Sequence, residues 1–149
     1  MTHEICAIVT PSTARAGERF GGAVVELTDA LQLVPMTTRL FDALNDPNAA
    51  VVEPFFLLTT HVLERLRSAL AVFAYIETEY FGGSGTQRAG AWRGMETLVT
   101  PREGSGSVNE ALAALGVTRG AALDEWDAVG LVRFQTMDAL AAASLSAAR

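Results

Sequence analysis

The sequence predicts one α+β domain over residues 1–149, with a mixed or antiparallel sheet, a central hairpin and helices packed on one face. Three observations carry this. The run Val72-Phe73-Ala74-Tyr75-Ile76 has the β-branched and aromatic enrichment of a central strand, and it leads without a breaker through Glu77-Thr78-Glu79-Tyr80 to Gly82-Gly83-Ser84-Gly85. That glycine cluster can adopt positive φ, so it turns the chain back into a return strand from Gln87 to Trp92 and onward to Val99. Segments of helical period flank the hairpin, and no composition break or long linker separates them.

Taken in order, Ile5-Cys6-Ala7-Ile8-Val9 reads as a buried strand stopped by Pro11. Phe20, Val24, Leu27 and Leu31 recur at spacings of three and four, which predicts a helix from about Glu18 to Leu31, weakened at its start by Gly21-Gly22. Leu31 to Met36 reads as a second strand, with Pro35 placing it at a sheet edge or putting the proline at the strand's end. Thr37 or Thr38 caps a short helix with Leu40, Phe41 and Leu44, and Asn45-Asp46-Pro47-Asn48 ends it. Thr59 or Thr60 opens a clearer helix, apolar at Val62, Leu63, Leu66, Ala69 and Leu70 and charged on its other side. Ser107 starts a helix with Val108, Leu112 and Leu115 inward and Gly116 just past its end. Thr136 caps a last helix carrying Met137 and Leu140.

Composition narrows the function classes. Half of the residues are hydrophobic and 19% are charged, a balance that favours a folded core over disorder. The net charge of −6 opposes binding to a phosphate backbone, which draws its affinity from cationic patches, and suits a basic protein partner. All cationic side chains of the Lys/Arg class are arginines, which reflects GC-rich coding as much as chemistry. With Cys6 alone, no internal disulfide and no cysteine metal cluster can form. No signal peptide and no apolar run of about 20 residues is evident, so a soluble cytoplasmic protein without a membrane segment is expected.

The candidate functional residues fall in two acidic clusters. On a strand, Phe73, Tyr75, Glu77 and Glu79 share one face and Val72, Ala74, Ile76, Thr78 and Tyr80 the other. Two carboxylates roughly 7 Å apart form a solvated end of the strand, contact a partner, or divide acid and base roles in a pocket. Asp124, Glu125 and Asp127 surround Trp126, a composition suited to gripping a cationic surface and equally to a core aromatic beside a helix start. Glu77, Glu79, Tyr80, Asp124, Glu125, Trp126 and Asp127 are therefore the expected partner contacts. No catalytic residue, metal site or cofactor is assigned. Gly82 to Gly85 precedes a strand rather than the helix a phosphate loop needs, Gly83-Ser84-Gly85 lacks the nucleophile-elbow spacing, and His61 has no internal histidine to join it.

The run Tyr75-Ile76-Glu77-Thr78-Glu79-Tyr80-Phe81-Gly82-Gly83-Ser84-Gly85-Thr86-Gln87, continuing to Ala91-Trp92, resembles one in small uncharacterised bacterial proteins. Asp124-Glu125-Trp126-Asp127-Ala128-Val129-Gly130-Leu131 resembles a second run in the same group. The resemblance implies a GC-rich, actinobacterial or similar source and brings no catalytic residue with it. By size and charge alone the chain also looks like an immunity protein, which neutralises a toxin by covering its active site. Two other classes stand beside that expectation. One is a small-molecule-binding protein or enzyme with Glu77 and Glu79 in a pocket. The other is a dimer whose glutamates pair with Arg88 or Arg93 across the interface.

Overall fold

The computed structural model describes residues 2–16, 20, 24–27, 30–81, 84–104 and 106–116. The Asp124 to Asp127 cluster and the helix expected from Thr136 lie outside the described residues, as does the Gly82-Gly83 step of the hairpin. Six strands form one sheet: β1 (Thr2–Pro11), β2 (Val25–Glu26), β3 (Leu31–Pro35), β4 (Val72–Phe81), β5 (Ser84–Arg93) and β6 (Glu96–Glu103). Their order is β2-β3-β1-β4-β5-β6, and every neighbouring pair is antiparallel. Three described helices accompany them: α1 (Thr38–Leu44), α2 (Thr60–Ala69) and α3 (Ser107–Ala114). The α+β class and the central hairpin are those that the sequence predicts, with β4 and β5 paired from Val72 opposite Arg93 to Phe81 opposite Ser84.

Helices cover both faces of the sheet rather than one. β4 shows why, because its alternation is apolar on each side. Ala74 and Ile76 join Ile5, Ala7, Ala89 and Ala91 in a core closed by Val108, Ala111 and Leu112 of α3. Phe73 and Tyr75 join Ile8, Val34 and Trp92 in a second core closed by Leu40 and Leu44 of α1 and Val62 and Leu66 of α2. A strand that is apolar on both faces leaves a wide apolar surface in water unless both are covered.

The expected helix from Glu18 to Leu31 does not extend through Val25. Ala16 and Phe20 are helical, but Val25 and Glu26 form β2 and pair with Leu33 and Gln32. Leu27 and Leu31 enter the α3-side core together with Val25, whereas Phe20 and Val24 pack against the other core, so the expected stripe is divided between the two faces of the sheet. Gln32 Nε2 donates to Glu26 Oε1 at 2.7 Å and Ser12 Oγ donates to Glu26 Oε2 at 2.9 Å, which holds this short strand in place. β3 is internal, between β2 and β1, and Pro35 is its last residue. The pairing with β2 ends at Leu33, so the missing N–H of Pro35 interrupts no ladder there.

The helix starts follow the expected chemistry. Thr37 Oγ1 accepts from Leu40 N at 3.1 Å and Thr59 Oγ1 accepts from Val62 N at 3.2 Å, each satisfying an amide without an intrahelical partner. At α3 the cap is different. Ser107 is the first helical residue, its hydroxyl is buried without a hydrogen bond, and Gln87 Oε1 of β5 accepts from Val108 N at 3.3 Å.

Gly90 of β5 lies opposite Tyr75 and beneath the Trp92 ring, where an added Cβ would stand 2.9 Å from Trp92 Cη2. The ring also stacks on Phe73, with centroids 5.3 Å apart and 27° between planes. Both aromatics are fully buried and have no room to yield. Gly90→Ala is expected to destabilise the fold by about 1–3 kcal/mol through overpacking, read as a lower urea midpoint with an unchanged m-value.

Candidate functional site

β4 carries Glu77 on the same face as Tyr75, between β1 and β5, with Cys6 opposite it on one side and Arg88 on the other. The expected solvent-facing or pocket-lining position for Glu77 is corrected: its side chain is buried, with 2% of the residue exposed. The reason is the segment between α1 and α2. Val51 bridges to Thr59, Val52 N donates to Leu58 O at 2.7 Å, and Thr60 N donates to Ala50 O at 2.9 Å, which closes residues 52–58 into a loop. Thr59 Oγ1 donates to Asn45 Oδ1 at 2.5 Å and ties the loop's two ends together. The loop contains a cis Glu53–Pro54 peptide and lies across the end of the sheet face that bears the aromatic core.

The carboxylate of Glu77 holds this loop down. Oε1 accepts from Phe56 N at 2.8 Å, and Oε2 accepts from Leu57 N at 2.9 Å and from Tyr75 Oη at 2.8 Å. Taking a carboxylate out of water costs several kcal/mol, whereas each hydrogen bond to a charged group returns about 1.5–3 kcal/mol. Three such bonds offset the burial. They also engage both oxygens with donors of the protein itself, so the group is a structural acceptor rather than an acid or base facing substrate. Burial first, and then the charges of Glu77 and Cys6, raise the Tyr75 phenol well above its usual range, so Tyr75 remains a donor. Phe55 packs edge-on against Tyr75, with centroids 5.0 Å apart at 81°.

The next loop residue points outward. Phe56 is 65% exposed, and the Arg88 guanidinium lies 4.1 Å from its ring centroid. Arg88 itself is nearly buried and pairs with Glu103 of β6, Nη2 to Oε1 at 2.7 Å, while Glu103 keeps 48% of its side chain exposed. The ion pair lies within the chain. Glu53 of the same loop is exposed. Glu77 thus fixes the loop backbone, and the loop presents an aromatic ring backed by Arg88, whose guanidinium also holds Glu103.

Glu79 and Tyr80 are residues of β4, paired with Thr86 and Gly85, and only their backbone is described. Among the described residues no group of three or more His, Cys, Asp and Glu side chains could hold a metal ion. A shallow cavity of about 270 Å³ opens at the start of β4, lined by Thr10, Pro11, Thr13, Ala69 and Val72 and by no ionisable side chain. It is five residues along the strand from Glu77, roughly 17 Å. No described helix is long and apolar enough to cross a membrane.

Phe56 and its loop were missed in the sequence. The available signal was Val52-Glu53-Pro54-Phe55-Phe56-Leu57-Leu58, an apolar run too irregular for strand or helix beside a strand glutamate with no evident partner. No family model, curated protein or solved structure matches the chain.

Two substitutions separate the parts of the clamp. Glu77→Gln keeps one oxygen but turns an NH₂ toward a backbone N–H, so a loss of about 2–4 kcal/mol is expected. Faster hydrogen exchange at the Phe56 and Leu57 amides should accompany it and localise the loss to the loop. Tyr75→Phe removes one donor of three and should cost about 1–2 kcal/mol near neutral pH. The unfolded tyrosine ionises near pH 10 while the folded one resists, so the stability that Tyr75 contributes is complete below pH 10 and is lost as pH rises toward the folded value. Unfolding titrations between about pH 9 and 11 should show a shallower alkaline decline in the Phe variant, in a chain with no lysine to obscure it.

Proposed function

We propose that this protein is a protein-recognition module that engages a basic partner, in the manner of an immunity protein covering a toxin. The observation that supports this most directly is Phe56: a large aromatic left 65% exposed on a loop whose amides are fixed by a buried carboxylate. Exposed aromatics on ordered backbone lose little conformational freedom on binding, and such residues dominate interface energetics. The charge balance of −6 favours a partner of opposite sign and speeds its encounter. The acidic run Asp124-Glu125-Trp126-Asp127, with Glu79 and Tyr80, is a further candidate contact on the same reading. A small-molecule site at Glu77 has less support, because both carboxylate oxygens already accept hydrogen bonds from the protein.

The test is affinity capture from extract of the native host with wild-type protein and with Phe56→Ala. On this reading the wild type retains a basic protein, and Phe56→Ala weakens its apparent affinity by about 30-fold, the equivalent of a 2 kcal/mol hot spot. Equal capture by the two proteins, or recovery of only acidic proteins, refutes it.

A further inference from the structure

We infer that Phe56, Glu103 and Glu53 form a receptor for an arginine side chain of the partner, an inference that rests on the protein-recognition reading. Charge complementarity around a single ring supports it. Arg88 covers one face of Phe56, with its guanidinium carbon 4.1 Å from the centroid, and is itself only 7% exposed. Its charge is committed inward, to the ring and to Glu103 at 2.7 Å. What faces outward is a ring that is 65% exposed, the half-exposed carboxylate of Glu103, and Glu53 in the loop that carries the ring. The accessible surface is therefore aromatic and anionic, although a cation lies beneath it.

That order selects among occupants. An acidic side chain would meet Glu103 and Glu53 with Arg88 screened behind the ring. A purely apolar residue would cover Phe56 while stripping water from Glu103 without offering it a donor, which costs free energy. An arginine satisfies both demands: its methylene stem lies along the free face of Phe56 and its planar fork reaches a carboxylate edge. The stem rather than the guanidinium belongs over the ring, because Arg88 already draws on the π-density from the opposite side. Glu77 contributes by holding Phe56 N and Leu57 N at 2.8 and 2.9 Å, so that the ring is in place before the partner arrives.

The experiment uses the full chain labelled with ¹³C at phenylalanine and three blocked tripeptides, Gly-Arg-Gly, Gly-citrulline-Gly and Gly-Glu-Gly. Citrulline keeps the shape and removes the charge. The arginine peptide should give saturable shifts of the Phe56 ring signals at millimolar concentrations, fading as salt rises toward about 1 M, where screening falls to roughly 3 Å. The citrulline and glutamate peptides should give shifts at least about fivefold smaller at the same concentration, a difference of about 1 kcal/mol. Glu53→Gln, which leaves the Arg88–Glu103 pair untouched, and Glu103→Gln should each weaken the arginine response by about two- to fivefold. Equal responses to arginine and citrulline overturn the receptor, as does an arginine response that survives both substitutions or is absent at every concentration. Since no host protein enters this measurement, arginine binding without host capture would sink the partner reading alone, and host capture without arginine binding would sink this inference alone.

Discussion

The buried carboxylate of Glu77 is the constraint on which one whole layer of this protein depends. This carboxylate takes no part in the ladders of the sheet or in the α3-side core. Without it the loop between α1 and α2 would not be placed. That loop presents two consecutive backbone amides toward the sheet, and buried amides need acceptors. A strand residue with an ordinary apolar side chain would fill the space and leave both donors unsatisfied. Glutamate reaches far enough from β4 to serve Phe56 and Leu57 together while taking a third bond from Tyr75 two residues earlier. One side chain therefore fixes the direction of a loop that apolar packing alone would leave free to slide.

The two faces of the sheet are held by different physics. On the α3 side the strands offer Ala7, Ala74, Ala89 and Ala91, small residues over which α3 can lie close. On the other side they offer Phe73, Tyr75 and Trp92, and the short helices α1 and α2 span only part of that surface. The loop covers part of the remainder, through Phe55 against Tyr75 and the clamp at Glu77. Gly90 belongs to the same arrangement, since its missing side chain makes the space that the Trp92 ring fills. Bulk at Trp92 is matched by absence two residues earlier on the same strand, which is how same-face positions reach core density without strain.

Much of this was legible in the sequence wherever local chemistry and tertiary placement agree. Thr37 and Thr59 are capping residues by type, and they cap. The run from Val72 to Tyr80 is a strand by composition, and its alternation is correct from Phe73 to Glu77. The reading failed where a local pattern had two solutions. Val24, Leu27 and Leu31 fit a helical stripe, yet the chain there forms β2 and the start of β3, because pairing with β3 and burial under α3 outweigh a spacing that glycines already weaken. Glu77 failed for a deeper reason. A strand glutamate defaults to solvent, and only contacts across about twenty residues of sequence, to amides that no side-chain pattern announces, make it a core residue. The clamp is a property of backbone donors, which sequence patterns do not display.

The same logic separates Glu77 from Glu103, although both are strand glutamates. Glu77 is surrounded by hydrogen-bond donors on a face that a loop covers, so its charge is spent on the chain's own amides and on Tyr75. Glu103 lies on the edge strand, holds Arg88 through one oxygen and keeps half of its side chain in water. A charge that is both ordered and half-hydrated can be desolvated at modest cost by a partner that brings its own cation, whereas a fully committed one cannot. Rigidity and availability are therefore divided between two carboxylates. The inner one sets the position of Phe56, the outer one sets the sign of the surface beside it, and Arg88 links them by touching both Phe56 and Glu103. A surface organised in this way owes its selectivity to the buried layer as much as to the groups that a partner would touch.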